Sequence, residues 1–169
     1  GLRPILCANL PYNITTPVLT KCVESRCFDS LTVLIQKEVA ERIAAGPGSK
    51  TYGILSVLLQ AWYDIEYLFT VDENVFNPPP KVKSGVIKLV RNNVTDLGCD
   101  ERLFKTVVKT SFGMRRKMLR SSLKSMFPQG SPVLATDLFR MRPEQLSVQQ
   151  FVDLTNMVAA ERNNDEQTK

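Results

Sequence analysis

The spacing of apolar and polar positions divides the chain into a stretch that alternates strands with helices and a later one that is helical throughout. Residues 3–8 (R-P-I-L-C-A) read as a short buried strand running into the turn Asn9-Leu10-Pro11-Tyr12. Thr15 or Thr16 is placed to cap a helix with Pro17 at its first position, a favoured helix start. The largely apolar, β-branched run 31–35 (L-T-V-L-I) predicts a strand inside a parallel sheet, covered on both faces. A helix over 38–45 follows and stops at Gly46-Pro47-Gly48; the next is predicted over 53–61, with Leu55, Leu58 and Leu59 as its buried stripe. Residues 62–71 and 86–90 predict two strands, paired antiparallel and joined through the proline-rich segment 77–81.

Beyond Asn92-Asn93 the period becomes helical, with helices predicted over 100–111, 115–126 and 147–160 and the breakers Pro128, Gly130, Pro132 and Pro143 between them. The expected organisation is an α/β domain over 1–93, a helical domain over 94–160, and a polar, frayed tail over 161–169.

Composition adds two restrictions. The sequence contains no histidine, which excludes histidine-ligated metal sites and Ser-His or Cys-His catalytic pairs, so no metal is expected. The four cysteines, Cys7, Cys22, Cys27 and Cys99, fit neither a zinc knuckle nor a CxxC pair and read as reduced thiols of a cytoplasmic protein. No run approaches the roughly 20 apolar residues that span a bilayer, and residues 1–8 do not read as a leader, so no membrane partner is expected.

Charge is unevenly placed. The window 102–124 carries eight basic residues and no acid, so against a net charge of +5 the remainder of the chain is acidic. A polyanion is the partner that such a window suits. On a helical wheel of about 100° per residue, Arg116, Arg120, Lys124 and Lys117 gather on one face, while Leu119, Leu123 and Met126 gather on the other. Together with Arg115 these are the candidate phosphate-contacting residues of a helix over 115–124.

Candidate chemistry sits in the turn Asn9-Leu10-Pro11-Tyr12. An adenine amine is a poor nucleophile because its lone pair is delocalised into the ring. An Asn carboxamide oxygen and a backbone carbonyl can hold its hydrogens and favour a pyramidal nitrogen, without any base of shifted pKa. Pro11 restricts Leu10 to an extended conformation and so aims the Leu10 carbonyl. Tyr12 offers a flat face to a base swung out of its stack. Phe76, on the stiff segment F-N-P-P-P-K-V-K-S at 76–84, can close the other side of such a base. Asn77-Pro78-Pro79 imitates an N-P-P-Y methylase motif, but Pro80 stands in the aromatic position, which removes it from the catalytic candidates.

In order along the chain, N-L-P-Y-N-I-T-T-P (9–17), Q-K-E-V-A-E-R-I (36–43), Y-G-I-L-S-V (52–57), F-N-P-P-P-K-V-K-S (76–84), F-G-M-R-R-K-M-L-R-S-S-L-K (112–124) and R-P-E-Q-L-S (142–147) resemble the KsgA-type dimethyltransferases of small-subunit ribosomal RNA, up to about residue 160. The resemblance implies a Rossmann-like class I methyltransferase sheet, of which this chain carries the C-terminal half, followed by a small all-helical domain. It implies S-adenosyl-L-methionine as methyl donor and N6,N6-dimethylation of two adjacent adenines near the 3′ end of that rRNA, in a 30S assembly intermediate. Carried onto this sequence, Asn9, Leu10, Pro11 and Tyr12 are catalytic, with Asn9 also touching the donor. Tyr12 and Phe76 stack on the base, and Arg115, Arg116, Lys117, Arg120 and Lys124 bind RNA. The family's glycine-rich donor turn and its acidic residues precede N-L-P-Y and have no counterpart here, so the expectation is a monomer inactive by itself. Two alternatives stand beside this: an Erm-type large-subunit rRNA methyltransferase, and a non-catalytic rRNA-binding assembly module.

Overall fold

The computed structural model describes residues 3–167, which divide into two compact units: residues 3–45 with 58–94, and 46–57 with 95–167. In the first unit β1 (Ile5–Asn9), β2 (Ser30–Gln36), β3 (Tyr63–Val71) and β4 (Ser84–Arg91) form one mixed sheet in the order β1-β2-β4-β3. β1 and β2 run parallel, and β4 lies antiparallel to both β2 and β3. The antiparallel pairing expected for the last two strands is present, with a bulge between Tyr67 and Phe69.

Strand residues alternate between faces, and the cover on the two faces differs. Leu31, Val33, Ile35, Ile87 and Leu89 are fully buried on the face that carries the helices. On the other face Ile5, Cys7, Asn9, Lys88 and Val90 are exposed, and Thr32 and Leu34 are half-buried. The 31–35 run is therefore fully buried on one face and half-buried on the other among the described residues. The apolar composition of the run conceals this, because Thr32 and Leu34 are compatible with either environment.

Helix α1 (Thr15–Ser25) starts two positions earlier than expected from Pro17 as its first residue, with Ile14 as its cap residue and Pro17 as its third residue. That site tolerates proline because the first N–H groups of a helix have no intrahelical acceptor. Thr15 does not cap the helix through a backbone N–H; its hydroxyl donates to the Pro11 carbonyl at 3.1 Å. α1 ends at Arg26, which adopts a left-handed φ of 52° and lays its guanidinium 3.7 Å from the centre of the Trp62 ring. α2 (Lys37–Ala44) buries Ala40 and Ile43. A Cβ at Gly85 would lie 2.9 Å from Ala40 Cβ and 2.9 Å from Tyr67 Oη, so the glycine permits β4 to approach this closely. The C-terminal end of α3 (Ile54–Gln60) is tied to this unit through Gln60, whose amide donates to the Ile43 carbonyl at 2.9 Å and the Ala45 carbonyl at 2.7 Å.

In the second unit α4 (Glu101–Gly113) begins at Asp100, whose carboxylate accepts from the Leu103 N–H at 2.7 Å. α7 (Val148–Gln167) continues seven residues past the end expected at 160. Phe112 lies 5.8 Å from Phe151 and 6.2 Å from Tyr52, ring centre to ring centre. Residues 46–57 join this unit by specific bonds. The buried Tyr52 hydroxyl donates to the Leu146 carbonyl at 2.7 Å, and the Gly48 N–H to the Glu144 carbonyl at 2.6 Å.

The helix predicted over 115–126 does not form. α4 ends at Gly113, residues 114–117 make a turn closed by Lys117 N–H to the Met114 carbonyl at 2.8 Å, and Met118 is extended. A four-residue α5 (Leu119–Ser122) and a 3-10 turn (Lys124–Met126) follow. Leu119 and Leu123 are fully buried, and the Leu119 N–H bonds the Met141 carbonyl at 2.9 Å. The one-sided basic wheel over 115–124 is thereby corrected to a basic turn and a short helix. A four-residue α6 (Asp137–Arg140) lies between the 3-10 turns Pro132–Ala135 and Pro143–Gln145, and among the described residues no helix is long and apolar enough to cross a membrane.

Candidate functional site

The turn after β1 is built from three backbone facts. Leu10 N–H donates to the Leu34 carbonyl at 3.1 Å, which extends the parallel pairing one residue past the strand. The Pro11 carbonyl then accepts from both Ile14 N–H and the Thr15 hydroxyl, each at 3.1 Å, folding the chain back into α1. Proline at 11 fixes φ there and removes a donor that this turn does not use. Asn9 is left exposed at the carboxyl end of β1, and its carboxamide makes no hydrogen bond to a described residue. Leu10 is buried, and Tyr12 is half-buried with its hydroxyl 2.6 Å from Ser84 Oγ.

Phe76 arrives from the other side of the sequence. The Asp72 carboxylate accepts from the Asn74 N–H at 3.0 Å and the Asn74 side chain at 2.8 Å, starting the 3-10 turn Glu73–Val75 that presents Phe76. The Asn74 N–H, with the Asn74 amide and nearby Lys83, holds the Asp72 carboxyl below the usual carboxylate range. Lys83 lies 3.8 Å from Asp72 and closes the base of the loop; the Asn77–Pro78 peptide within it is cis.

These segments meet. Asn9, Leu10, Pro11, Tyr12, Leu34, Phe76, Pro78 and Pro80 line one hollow of about 250 Å³. Two carbonyl acceptors, Asn9 Oδ1 and Leu10 O, belong to residues at its wall, and the other lining side chains are rings and an aliphatic group. Such a wall can take a flat heterocycle and hold an amino group by its hydrogens. The sequence reading missed Leu34 and Ser84 as neighbours of this hollow. The first follows from the register Asn9↔Leu34, and the second joins positions 72 residues apart.

The five basic candidates are not equivalent. Arg115 is half-buried, with Nη2 donating to the Lys50 carbonyl at 2.5 Å and the Ser49 carbonyl at 3.4 Å, and its guanidinium 6.0 Å from the Phe112 ring centre. Arg116, Lys117, Arg120 and Lys124 are exposed and form no ion pair with a described residue. Arg115, Arg116 and Lys117, with Phe112, Gly113 and Met114, line a second hollow of about 400 Å³. Among the described residues no group of three His, Cys, Asp or Glu side chains is arranged to hold a metal ion.

This arrangement, a mixed α/β sheet with a helical C-terminal part, is the fold of solved RNA methyltransferases. The chain is similar to the crystal structure of a dimethyladenosine transferase from Plasmodium falciparum with a TM-score of 0.77 and 23% identity, covering 94% of this chain and 70% of that one. It is also similar to the 23S rRNA methyltransferase ErmE with a TM-score of 0.61 and 20% identity, over 92% of this chain and 68% of that one.

Sequence comparison narrows the class. Residues 3–160 match the family model described as ribosomal RNA adenine dimethylase, and the chain belongs to that family. The protein named ribosomal RNA small subunit methyltransferase A of Phocaeicola vulgatus is 58% identical over 161 residues, covering 95% of this chain. The protein of the same name from Bacteroides thetaiotaomicron is 60% identical over 155 residues, covering 91% of this chain. The chain spans 58% of the length of each of these two relatives.

Proposed function

We propose that this chain carries the base-holding side of an S-adenosyl-L-methionine-dependent enzyme that dimethylates adenine N6 in small-subunit rRNA. The observation that carries the reading is the joint lining of one hollow by Asn9, Leu10, Tyr12 and Phe76, from segments more than 60 residues apart. An adenine swung into it stacks on the aromatic rings. Its N6 hydrogens go to Asn9 Oδ1 and the Leu10 carbonyl, which leaves the nitrogen lone pair directed at an incoming methyl group.

The residues present fit the methyl donor only in part. The hollow, at about 250 Å³, is below the roughly 300–1,000 Å³ usual for drug-sized ligands and suits one ring system. Among the described residues neither of the parallel strands, β1 or β2, is joined to the helix that follows it through a glycine, where a nucleotide cofactor's backbone cradle would form. Asn9 is therefore the residue assigned to touch the donor, and no step is drawn through it. By itself this stretch is expected to hold an adenine without methylating it.

The exposed cations Arg116, Lys117, Arg120 and Lys124 supply phosphate contacts that hold the RNA while one base is extruded. The test is methyl incorporation from S-adenosyl-L-methionine into small-subunit rRNA, by a protein of the relatives' length bearing this sequence. Asn9→Ala is expected to lower the rate by about 100-fold or more, as the loss of one preorganised polar contact does elsewhere. An undiminished rate overturns the assignment of Asn9.

A further inference from the structure

Resting on the base-holding reading, we infer that Ser84 is a positioning residue: it fixes the Tyr12 ring, and with it the width of the hollow that receives the base. Ser84 Oγ lies 2.6 Å from Tyr12 Oη, at the short end of the range for hydroxyl pairs, and the Ser84 side chain is fully buried. A ring whose position rests on packing alone can tilt. A ring also held at its phenol tip has its plane set at both ends.

What makes Ser84 an anchor is the rigidity of its own position. It is the first residue of β4, paired with Gln36 of β2 on one side and with Val71 of β3 on the other. The carbonyl just before it, on Lys83, accepts from the Lys37 N–H at 3.0 Å. The residue just after it is Gly85, where a Cβ would meet Ala40 Cβ and Tyr67 Oη at 2.9 Å each, so β4 has no room to slide toward α2. Ser84 also terminates the segment that carries Phe76, Pro78 and Pro80 into the hollow. One hydroxyl therefore ties the Tyr12 side of the hollow to the strand in which the Phe76 segment ends.

Two measurements on the full chain test this. The first needs no RNA: side-chain ¹³C relaxation of Tyr12 in the parent, Ser84→Ala and Ser84→Thr. Ser84→Ala is expected to raise Tyr12 ring mobility, with Ser84→Thr, which keeps the hydroxyl, restoring the parent value. Equal ring order in the parent and Ser84→Ala overturns the inference. The second titrates a short RNA carrying 2-aminopurine at one adenine and follows quenching as the base stacks. Ser84→Ala and Tyr12→Phe are each expected to weaken binding about five- to tenfold, the loss of one net hydrogen bond. The double variant should be no weaker than either single one, because both remove the same bond. Additive losses overturn the inference. If Ser84→Ala frees the ring but the parent chain does not quench the probe, Ser84 keeps its role and the base-holding reading falls instead.

Discussion

Tyr52 is fully buried and donates its hydroxyl proton to the Leu146 carbonyl at 2.7 Å, and burial pushes its phenol up to about 12. The neutral form is thus favoured in the folded chain, whereas the unfolded chain ionises near 10. Stability from this residue is complete below about pH 10 and is lost as pH rises towards 12. Cys99 acts in the same direction from a lower start, its thiol raised to about 11 by burial and then by Asp100, Glu101 and Asp96. Calorimetry between pH 8 and about 11.5 should show Tm falling at the alkaline end. Tyr52→Phe should flatten part of that fall while lowering stability near neutrality by about 1 kcal/mol, one net hydrogen bond. At this scale the candidate chemistry was legible where it is contiguous: Asn9, Leu10, Pro11 and Tyr12 are adjacent, and Phe76 is marked by the prolines after it. The Ser84 contact was not legible, since no local pattern tells a strand-initiating serine from one that meets a phenol 72 positions away.

Elements were legible wherever period and breakers agreed. β2 and the β3–β4 pair sit within a few residues of their predicted bounds, because β-branched runs flanked by turn residues have few other uses. The 115–126 segment failed because Leu119 and Leu123, four apart, suit a long helix as well as the first residue and the C-cap of a four-residue one. The decision came from Met141, whose distant carbonyl takes the Leu119 N–H. Likewise Thr15 meets the Pro11 carbonyl, an acceptor that the capping rule does not consider. The tightest element contact gives a direct test. Gly85→Ala would force a methyl to 2.9 Å from Tyr67 Oη, the tip of a half-buried side chain, and to 2.9 Å from the Cβ of Ala40, which is fully buried and fixed by its helix backbone. Overpacking of this kind costs about 1–3 kcal/mol, and thermal denaturation should show it as a Tm lowered by several degrees.

At the scale of the molecule, the sequence reading cuts the chain once, after residue 93. The structure groups residues 46–57 with 95–167, through Tyr52, Gly48 and the carbonyls of Ser49 and Lys50 that meet Arg115. A linear reading has no means of assigning a short excursion to a distant unit. The concentration of positive charge over 102–124, by contrast, survives folding into shorter elements, because Arg116, Lys117, Arg120 and Lys124 remain exposed whether helical or not. Their bearing on RNA is open to measurement. Arg116→Glu and Lys117→Glu should weaken binding of a small-subunit rRNA hairpin, and each should reduce the slope of log affinity against log salt by about one. Both residues are exposed, so the unfolding free energy should stay within about 0.5 kcal/mol of the parent's. Unchanged salt slopes would remove these two side chains from the RNA contact.

The bond between Tyr12 and Ser84 forms after β1 has found β2 and β2 has found β4, pairings that join residues far apart along the chain. Contacts of such long sequence separation assemble cooperatively and late, since each closes a large loop. The hollow is accordingly a property of the finished sheet and has no counterpart in a short peptide carrying Asn-Leu-Pro-Tyr. Whatever occupies it selects the folded sheet over the open chain, and by mass action each tenfold excess over the dissociation constant adds about 1.4 kcal/mol to the stability of that sheet.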